Sequence, residues 1–147
     1  MNKDKFENFD PESFDNLLKS KEGTQLDRKQ KITSREKIAK TIAAMANTEG
    51  GVLLVGISDK GEITGIDPEE ELYMIQSANE TYCHPPTQIK SRTIHFRDFD
   101  TNQFQPIDKY FLIVSITKNP GTFWIGKSGE KKYFERKGDR TISISGT

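Results

Sequence analysis

The chain has 147 residues, of which 22 are Lys or Arg and 22 are Asp or Glu, so its formal net charge is zero. This balance does not indicate a nucleic-acid or membrane partner, and the length suits one domain with a single core. No apolar run approaches the roughly 20 residues that span a bilayer, no signal peptide is recognisable, and Cys83 is the only cysteine. We therefore expect a cytoplasmic protein without an intrachain disulfide.

The zero net charge hides a segregated pattern. Residues 28–40 hold six basic residues and one acid, and residues 118–140 hold seven basic residues and three acids. Between these blocks, residues 59–80 carry seven acids and one lysine. Such blocks favour one basic and one acidic face on a neutral protein. The alternative is that these charges only solvate a small domain.

The first elements follow from helical spacing. Residues 1–10 are predicted to be a flexible N-terminus, and residues 11–147 a single domain. Residues 11–21 are predicted to form a short helix, because a proline precedes three apolar residues at helical spacing. Residues 24–32 look extended, although the residues that alternate there are charged rather than apolar.

The clearest helix begins after Ser34, which is predicted to cap its N-terminus. Apolar residues recur along it at the i, i+4 and i+7 positions Ile38, Ile42 and Met45. Asn47, Gly50 and Gly51 are predicted to form the turn that ends the helix, since glycine tolerates left-handed backbone and asparagine bonds the backbone of its own turn.

The rest of the chain alternates strands with one acidic helix. Residues 52–57, VLLVGI, read as a buried central strand, and residues 63–66 are predicted to return beside it as a hairpin. An acidic helix over residues 68–83 ends before His84-Pro85-Pro86. Further strands are predicted at residues 88–99, 110–117, 122–126 and 131–136. The fold class is therefore α+β, with a mixed, largely antiparallel sheet, two main helices and a short N-terminal helix.

The stretch GTFWIGKS, residues 121–128, matches the phosphate-binding loop pattern G-x-x-x-x-G-K-[ST]. A functional loop needs a helix that begins at its Lys-Ser pair. Here a glycine and an alternating strand pattern follow, and the variable positions are bulky, β-favouring residues. We therefore expect a hairpin, and no ATP binding.

The most specific pattern lies in residues 38–66. The helix ends in AMANTEGG, the next strand ends in GISDKG, and ITG follows. Near the C-terminus, Tyr133 or Phe134 precedes Arg136, Gly138 and Thr141. In this order the motifs resemble the AlbA-like domain of Schlafen proteins and of many small prokaryotic regulators, over roughly residues 13–145.

The resemblance implies two activities, nucleic-acid binding and metal-dependent RNA cleavage. Schlafen endonucleases that cut tRNA or rRNA use three carboxylates, and the matching positions here are Glu22, Asp27 and Asp59. These would be both metal ligands and catalytic residues for Mn²⁺ or Mg²⁺, because hard cations take oxygen ligands and activate water. Asp27 replaces the usual glutamate, and Arg28 beside it would neutralise it. The alternative is a capping or turn role for each acid.

Our leading interpretation is a nucleic-acid-binding module, a transcriptional regulator or an RNA- or DNA-binding domain, acting alone or as a homodimer. Tyr133 and Phe134 would stack on bases or fill the buried side of a strand. A protein-interaction module that uses the acidic helix remains a further alternative. The residues predicted to contact phosphates are Arg28, Lys29, Lys31, Arg35, Lys131, Lys132, Arg136 and Arg140.

Overall fold

A computed structural model describes residues 11–99, 104–126 and 130–144. The predicted flexible segment 1–10 lies outside these ranges, as do Lys127 and Ser128 of the phosphate-loop match. The helices and strands follow one another as α1 (Pro11–Lys19), β1 (Leu26–Lys29), α2 (Arg35–Asn47), β2 (Gly51–Val55), α3 (Pro68–Tyr82), β3 (Cys83–His84), β4 (Ile89–Asp98), β5 (Ile107–Ile116), β6 (Trp124–Ile125), β7 (Lys132–Lys137) and β8 (Arg140–Ile144).

The strands form two four-stranded sheets. The first has the order β1-β2-β5-β4, in which β1 runs parallel to β2 and the other pairs are antiparallel. The second has the order β3-β6-β7-β8 and is antiparallel throughout. The predicted α+β class with a mixed, largely antiparallel arrangement is confirmed, and the strands divide between two sheets.

Helix α2 lies between the sheets. Ser34 caps it, with its side chain accepting a hydrogen bond from the backbone of Lys37. Its small and apolar residues are buried in one core with residues of both sheets, among them Leu53, Leu112 and Phe134. The run of alanines lets the backbone approach closely, because a methyl group is the largest side chain at those positions. The predicted start, end and buried face of this helix are confirmed.

Helix α1 covers the opposite face of the first sheet. Phe14 packs edge-on against Phe111 with ring centroids 6.1 Å apart, and Leu18 is buried in a second core that includes Leu54 and Ile94. The first sheet is therefore covered on both faces over its central strands, as the apolar run 52–57 predicts.

The predicted hairpin between residues 52–57 and 63–66 is present only at its turn. Ile57 bridges Ile63 antiparallel, and Thr64 N donates to Gly56 O at 2.9 Å. Residues 63–66 form no strand beside β2, which is flanked by β1 and β5. Gly56 adopts a φ of 100° directly after β2, which turns the chain away from the strand direction. The following segment then bonds to β5, where Ile66 N donates to Tyr110 O at 3.1 Å.

Helix α3 matches its predicted span and begins at an Asp67 cap. It ends before a cis peptide bond between His84 and Pro85. The hairpin predicted from residues 121–136 is present as the antiparallel β6–β7 pair, whereas β8 was not predicted from the sequence. Among the described residues no helix is both long and apolar enough to cross a bilayer.

Candidate nucleic-acid interface and carboxylate cluster

Two of the three predicted carboxylates lie together at the start of the first sheet. Asp27 is a buried residue of β1, and Glu22 is half-buried in the turn before it. Glu22 Oε2 accepts a hydrogen bond from the backbone N–H of Arg28 at 2.7 Å. Burial raises the pKa of Glu22, and the neighbouring Asp27 carboxyl raises it further, against the opposing effect of the Arg28 N–H.

The partner of Asp27 is Arg136, from the second sheet. Arg136 Nη2 lies 2.9 Å from Asp27 Oδ1, and both side chains are buried. Lys29 Nζ lies 3.4 Å from the other oxygen, Oδ2. That contact is ionic without hydrogen-bond geometry, since Oδ2 has no hydrogen-bond partner among the described residues. The expectation that Arg28 neutralises Asp27 is therefore corrected, because Arg136 and Lys29 do so.

The remaining contacts of Arg136 are structural. Its guanidinium also donates to the carbonyls of Gly23 and Leu26 at 3.1 and 3.4 Å and to Thr141 Oγ1 at 3.2 Å. A guanidinium so enclosed has no open side for a phosphate. Its assignment to a phosphate-binding surface is corrected: Arg136 ties β7 to β1.

Arg28 is likewise directed inward, on the other face of β1. Its Nη1 donates to the carbonyls of Leu18, at 3.1 Å, and Ser20. Its Nη2 donates to the carbonyl of Asp59 at 3.3 Å. The side chain therefore connects α1, β1 and the turn after β2, and its assignment to the phosphate-binding surface is corrected too.

The third predicted ligand does not join the carboxylate pair. Asp59 is exposed, and it is the backbone carbonyl of Asp59 that meets the guanidinium of Arg28. Within residues 11–99, 104–126 and 130–144, no group of three His, Cys, Asp or Glu side chains could hold a metal ion. Because Arg136 and Lys29 already offset the charge of Asp27, the arrangement does not fit a three-carboxylate metal site.

Basic residues gather around the start of α2, where Lys29 is half-buried and Lys37 is exposed. Lys29 and Lys37 flank a shallow cavity of about 100 Å³, which we call the α2 pocket; its lining residues are Lys29, Ile32, Thr33, Ser34, Lys37 and Ile38. Lys31 and Arg35 are exposed beside it, and Arg35 donates to Ser77 Oγ at 2.8 Å. Lys37 was not among the predicted phosphate contacts, although it belongs to the basic block of residues 28–40.

The segment that carries Lys31 is fixed by a buried acid of α3. Glu71 is almost fully buried, and its Oε1 accepts from the backbone N–H of Ile32 at 2.7 Å. This charge-assisted bond holds the connection between β1 and α2 against α3. The lysines of the pocket are therefore displayed from a backbone that the fold holds in place.

A second basic group lies on the C-terminal sheet. Lys131, Lys132 and Arg140 are all exposed. Lys131 Nζ lies 5.1 Å from the ring centre of Trp124, which itself packs on His84 with centroids 4.4 Å apart. Lys132 borders a cavity of about 180 Å³ whose other lining residues are Glu36, Lys40, Tyr82, Ile125, Gly126 and Glu130. Two acids thus interrupt this second group.

The aromatic residues predicted to stack on bases differ in accessibility. Phe134 is buried in the core, and Lys40 Nζ lies 5.5 Å from its ring centre. Tyr133 is half-buried and pairs with Trp124 across the β6–β7 ladder. Phe134 is thus the buried side of a strand, which was the stated alternative to base stacking.

The predicted turn residues have two different roles. At Gly51 a Cβ atom would lie 2.3 Å from the carbonyl oxygen of Gln25, and at Gly50 it would lie 2.7 Å from that of Ile116. Both glycines therefore permit close backbone contact, Gly51 with the residue before β1 and Gly50 with the end of β5. Asn47 does not bond its own turn as expected. Its side-chain amide instead binds the backbone of residues 122, 123 and 134 in the second sheet.

Comparisons with known proteins agree with this fold. The family model described as Schlafen, AlbA_2 matches residues 22–145. Among solved structures, the crystal structure of the DIP2311 protein from Corynebacterium diphtheriae is similar, with a TM-score of 0.50 and 20% sequence identity. The similarity covers 82% of this chain but only 22% of that one, so it supports the fold alone. None of the curated proteins matches the sequence.

Proposed function

Since the chain belongs to the Schlafen AlbA_2 family, we propose that it is a nucleic-acid-binding domain that contacts phosphates around the start of α2. The observation that carries the proposal is the α2 pocket, where Lys29 and Lys37 flank the N-terminus of a 13-residue helix. The N-terminal end of a helix carries a partial positive charge and favours anions. The exposed Lys31 and Lys37 beside it add to the same positive potential.

Such a surface reads the backbone of a nucleic acid rather than its bases. Lysine is a flexible point charge, suited to phosphate contacts without defined base geometry. Affinity would then depend strongly on salt and little on sequence, because each neutralised phosphate releases counterions. Lys31 and Arg35 extend this surface on one side. Towards the second sheet it ends, because Lys40 pairs with Glu36 at 3.3 Å and Glu130 lies beside Lys132.

The rival function is a divalent-metal-dependent endoribonuclease. In its favour, Glu22 and Asp27 adjoin, and the buried Oδ2 of Asp27 lacks a hydrogen bond among the described residues. Against it, Asp59 does not join the pair, and Arg136 already forms an ion pair with the Asp27 carboxylate. Binding without cleavage is therefore the better-supported function. This proposal covers both RNA and DNA as the nucleic acid, and it includes a role as a transcriptional regulator.

The proposal is tested by titrating fluorescently labelled single-stranded RNA and duplex DNA with the protein over a series of salt concentrations. The double variant Lys31→Gln/Lys37→Gln should bind more weakly. The negative slope of log K against log salt should become shallower by about two. The matched control Lys19→Gln/Lys60→Gln removes the same charge from exposed lysines on the side of the first sheet that α1 covers. It should leave the slope close to that of the wild type.

Equal slopes in the two double variants would contradict the location of the binding surface. Absence of binding at low salt would contradict the proposed function altogether. Incubating the protein with the same nucleic acids in Mn²⁺ and in EDTA distinguishes the endoribonuclease from the binding domain. Metal-dependent fragments that disappear in Asp59→Ala would favour the nuclease, and intact but bound nucleic acid favours the binding domain.

A further inference from the structure

Lys29 lies between the buried carboxylate of Asp27 and the α2 pocket. The two residues are two positions apart on β1, so their side chains project from the same face of the strand. Lys29 Nζ lies 3.4 Å from Asp27 Oδ2, and the same lysine lines the pocket. The side chain of Lys29 is 43% exposed, whereas that of Asp27 is only 5% exposed. A partly exposed lysine thus has a buried anionic neighbour at the edge of the pocket.

The carboxylate of Asp27 is held in place from the second sheet. Arg136 Nη2 donates to Asp27 Oδ1 at 2.9 Å, and both side chains are buried. The adjoining acid, Glu22, accepts a hydrogen bond from the backbone of β1. Asp27 Oδ2 is left against Lys29 and has no hydrogen-bond partner among the described residues. The carboxylate therefore meets Lys29 from a supported position.

On the basis of the proposed function, we propose that Asp27 is a positioning residue, which holds the Lys29 ammonium at the α2 pocket for a phosphate of the nucleic acid. The contact between them lacks hydrogen-bond geometry, and no other hydrogen bond within the described residues uses the ammonium. Its three N–H donors are therefore available to phosphate oxygens. Asp27, which the family resemblance assigns to a metal, here orients a lysine instead.

Two opposing effects of Asp27 on phosphate affinity have to be compared. Its negative charge repels a phosphate. However, a lysine loses rotamer freedom when it binds a phosphate, and an ammonium that is already oriented avoids part of this loss. The hydrogen bond from Arg136 offsets the charge of the carboxylate and leaves its contact with Lys29 in place. We therefore expect orientation to prevail, so that loss of this acid weakens the binding of an anion.

The positioning role is tested by the affinity of Asp27→Asn for the labelled single-stranded RNA and duplex DNA at low salt. The amide keeps the size of the side chain but removes the charge that holds Lys29, so the Kd should rise about fivefold. Glu36→Gln is the matched control, because Glu36 is an exposed acid in the first turn of α2 whose ion-pair partner is Lys40. It removes the same charge without releasing Lys29, so the Kd should fall.

A double-mutant cycle distinguishes positioning from loss of structure, since Asp27→Asn also deprives Arg136 of its buried partner. Lys29→Gln should weaken binding more than Asp27→Asn does. In the Lys29→Gln background, the further change Asp27→Asn should not raise the Kd, whereas a purely structural role would weaken binding by the same factor in both backgrounds. Circular dichroism verifies that each variant is folded. If Asp27→Asn is unfolded, Asp27→Asn/Arg136→Met, which leaves no unpaired buried charge, replaces it in the cycle.

Equal or tighter binding by Asp27→Asn would overturn the positioning role, and so would equal losses in the two backgrounds of the cycle. A loss confined to chains that retain Lys29 would support it. If the wild type binds and Asp27→Asn binds as tightly, the proposed function stands and only the role of Asp27 is lost. No binding by the wild type would overturn both.

Discussion

At the scale of single residues, the side chains of Arg136 and Asp27 show exposures of only 3% and 5%. Breaking a buried pair leaves one charge without water or partner, which is more costly than never having buried the pair. We therefore expect Arg136→Met to lower the free energy of unfolding by about 3–5 kcal/mol. Urea denaturation followed by circular dichroism measures this change, with exposed Arg140→Met as the control.

A double-mutant cycle separates the interaction energy of the Arg136–Asp27 pair from the contribution of each side chain to packing. Asp27→Asn combined with Arg136→Met should cost less than the sum of the two single changes, since no uncompensated charge remains buried. Strictly additive costs would mean that the two side chains stabilise the fold independently.

The raised pKa of Glu22 predicts a dependence of stability on pH. Between the ordinary glutamate pKa and the raised value, the folded chain binds more protons than the unfolded chain, so the free energy of unfolding falls as pH rises. Glu22→Gln removes this loss and keeps an acceptor for the Arg28 N–H. We expect the variant to gain stability relative to the wild type as the pH rises above the ordinary glutamate pKa of about 4.3. Exposed Glu80→Gln is the control, and parallel profiles for Glu22→Gln and the wild type would contradict the prediction.

The inward roles of Arg28 and Arg136 could not be predicted from the sequence. The acceptors of Arg136 include Gly23 and Leu26, which lie 113 and 110 positions earlier in the chain. A basic block identifies charge, but the fold decides which charges reach solvent. The basic blocks correctly indicated exposed side chains at Lys31, Lys132 and Arg140, because no acceptors of the described chain enclose these side chains.

At the scale of elements, local signals predicted what is locally determined. The Ser34 cap and the apolar spacing gave α2, and the proline pair after His84 gave the end of α3. Pairing between strands is a non-local property, and there the prediction failed for residues 63–66. Strand β8 was not predicted, although its residues, RTISI, favour strands and alternate polar with apolar side chains.

Asn47 shows how one element is joined to distant ones. Its Nδ2 donates to the carbonyls of Phe123 and Phe134, and its Oδ1 accepts from Thr122 and Phe123. We expect Asn47→Ala to lower the free energy of unfolding by about 2–4 kcal/mol, since buried backbone groups of the second sheet lose their partners. Thermal denaturation measures this, with exposed Asn16→Ala on α1 as the control. A change no larger than that of the control would mean that water replaces the amide.

At the scale of the whole molecule, the family motifs predicted the architecture more reliably than they predicted the site. The α+β class follows from the order of helices and strands, and the family match covers residues 22–145. The carboxylate trio did not assemble, because side-chain positions depend on partners that motif spacing does not specify. The candidate binding surface could be located only to a block of sequence.

The strand order β1-β2-β5-β4 sets Lys29 and the open β4 edge on opposite sides of the first sheet. Three inter-strand spacings of about 4.8 Å lie between them, about 14 Å in all. A nucleic acid bound around Lys29 would therefore leave the β4 edge of the sheet uncovered.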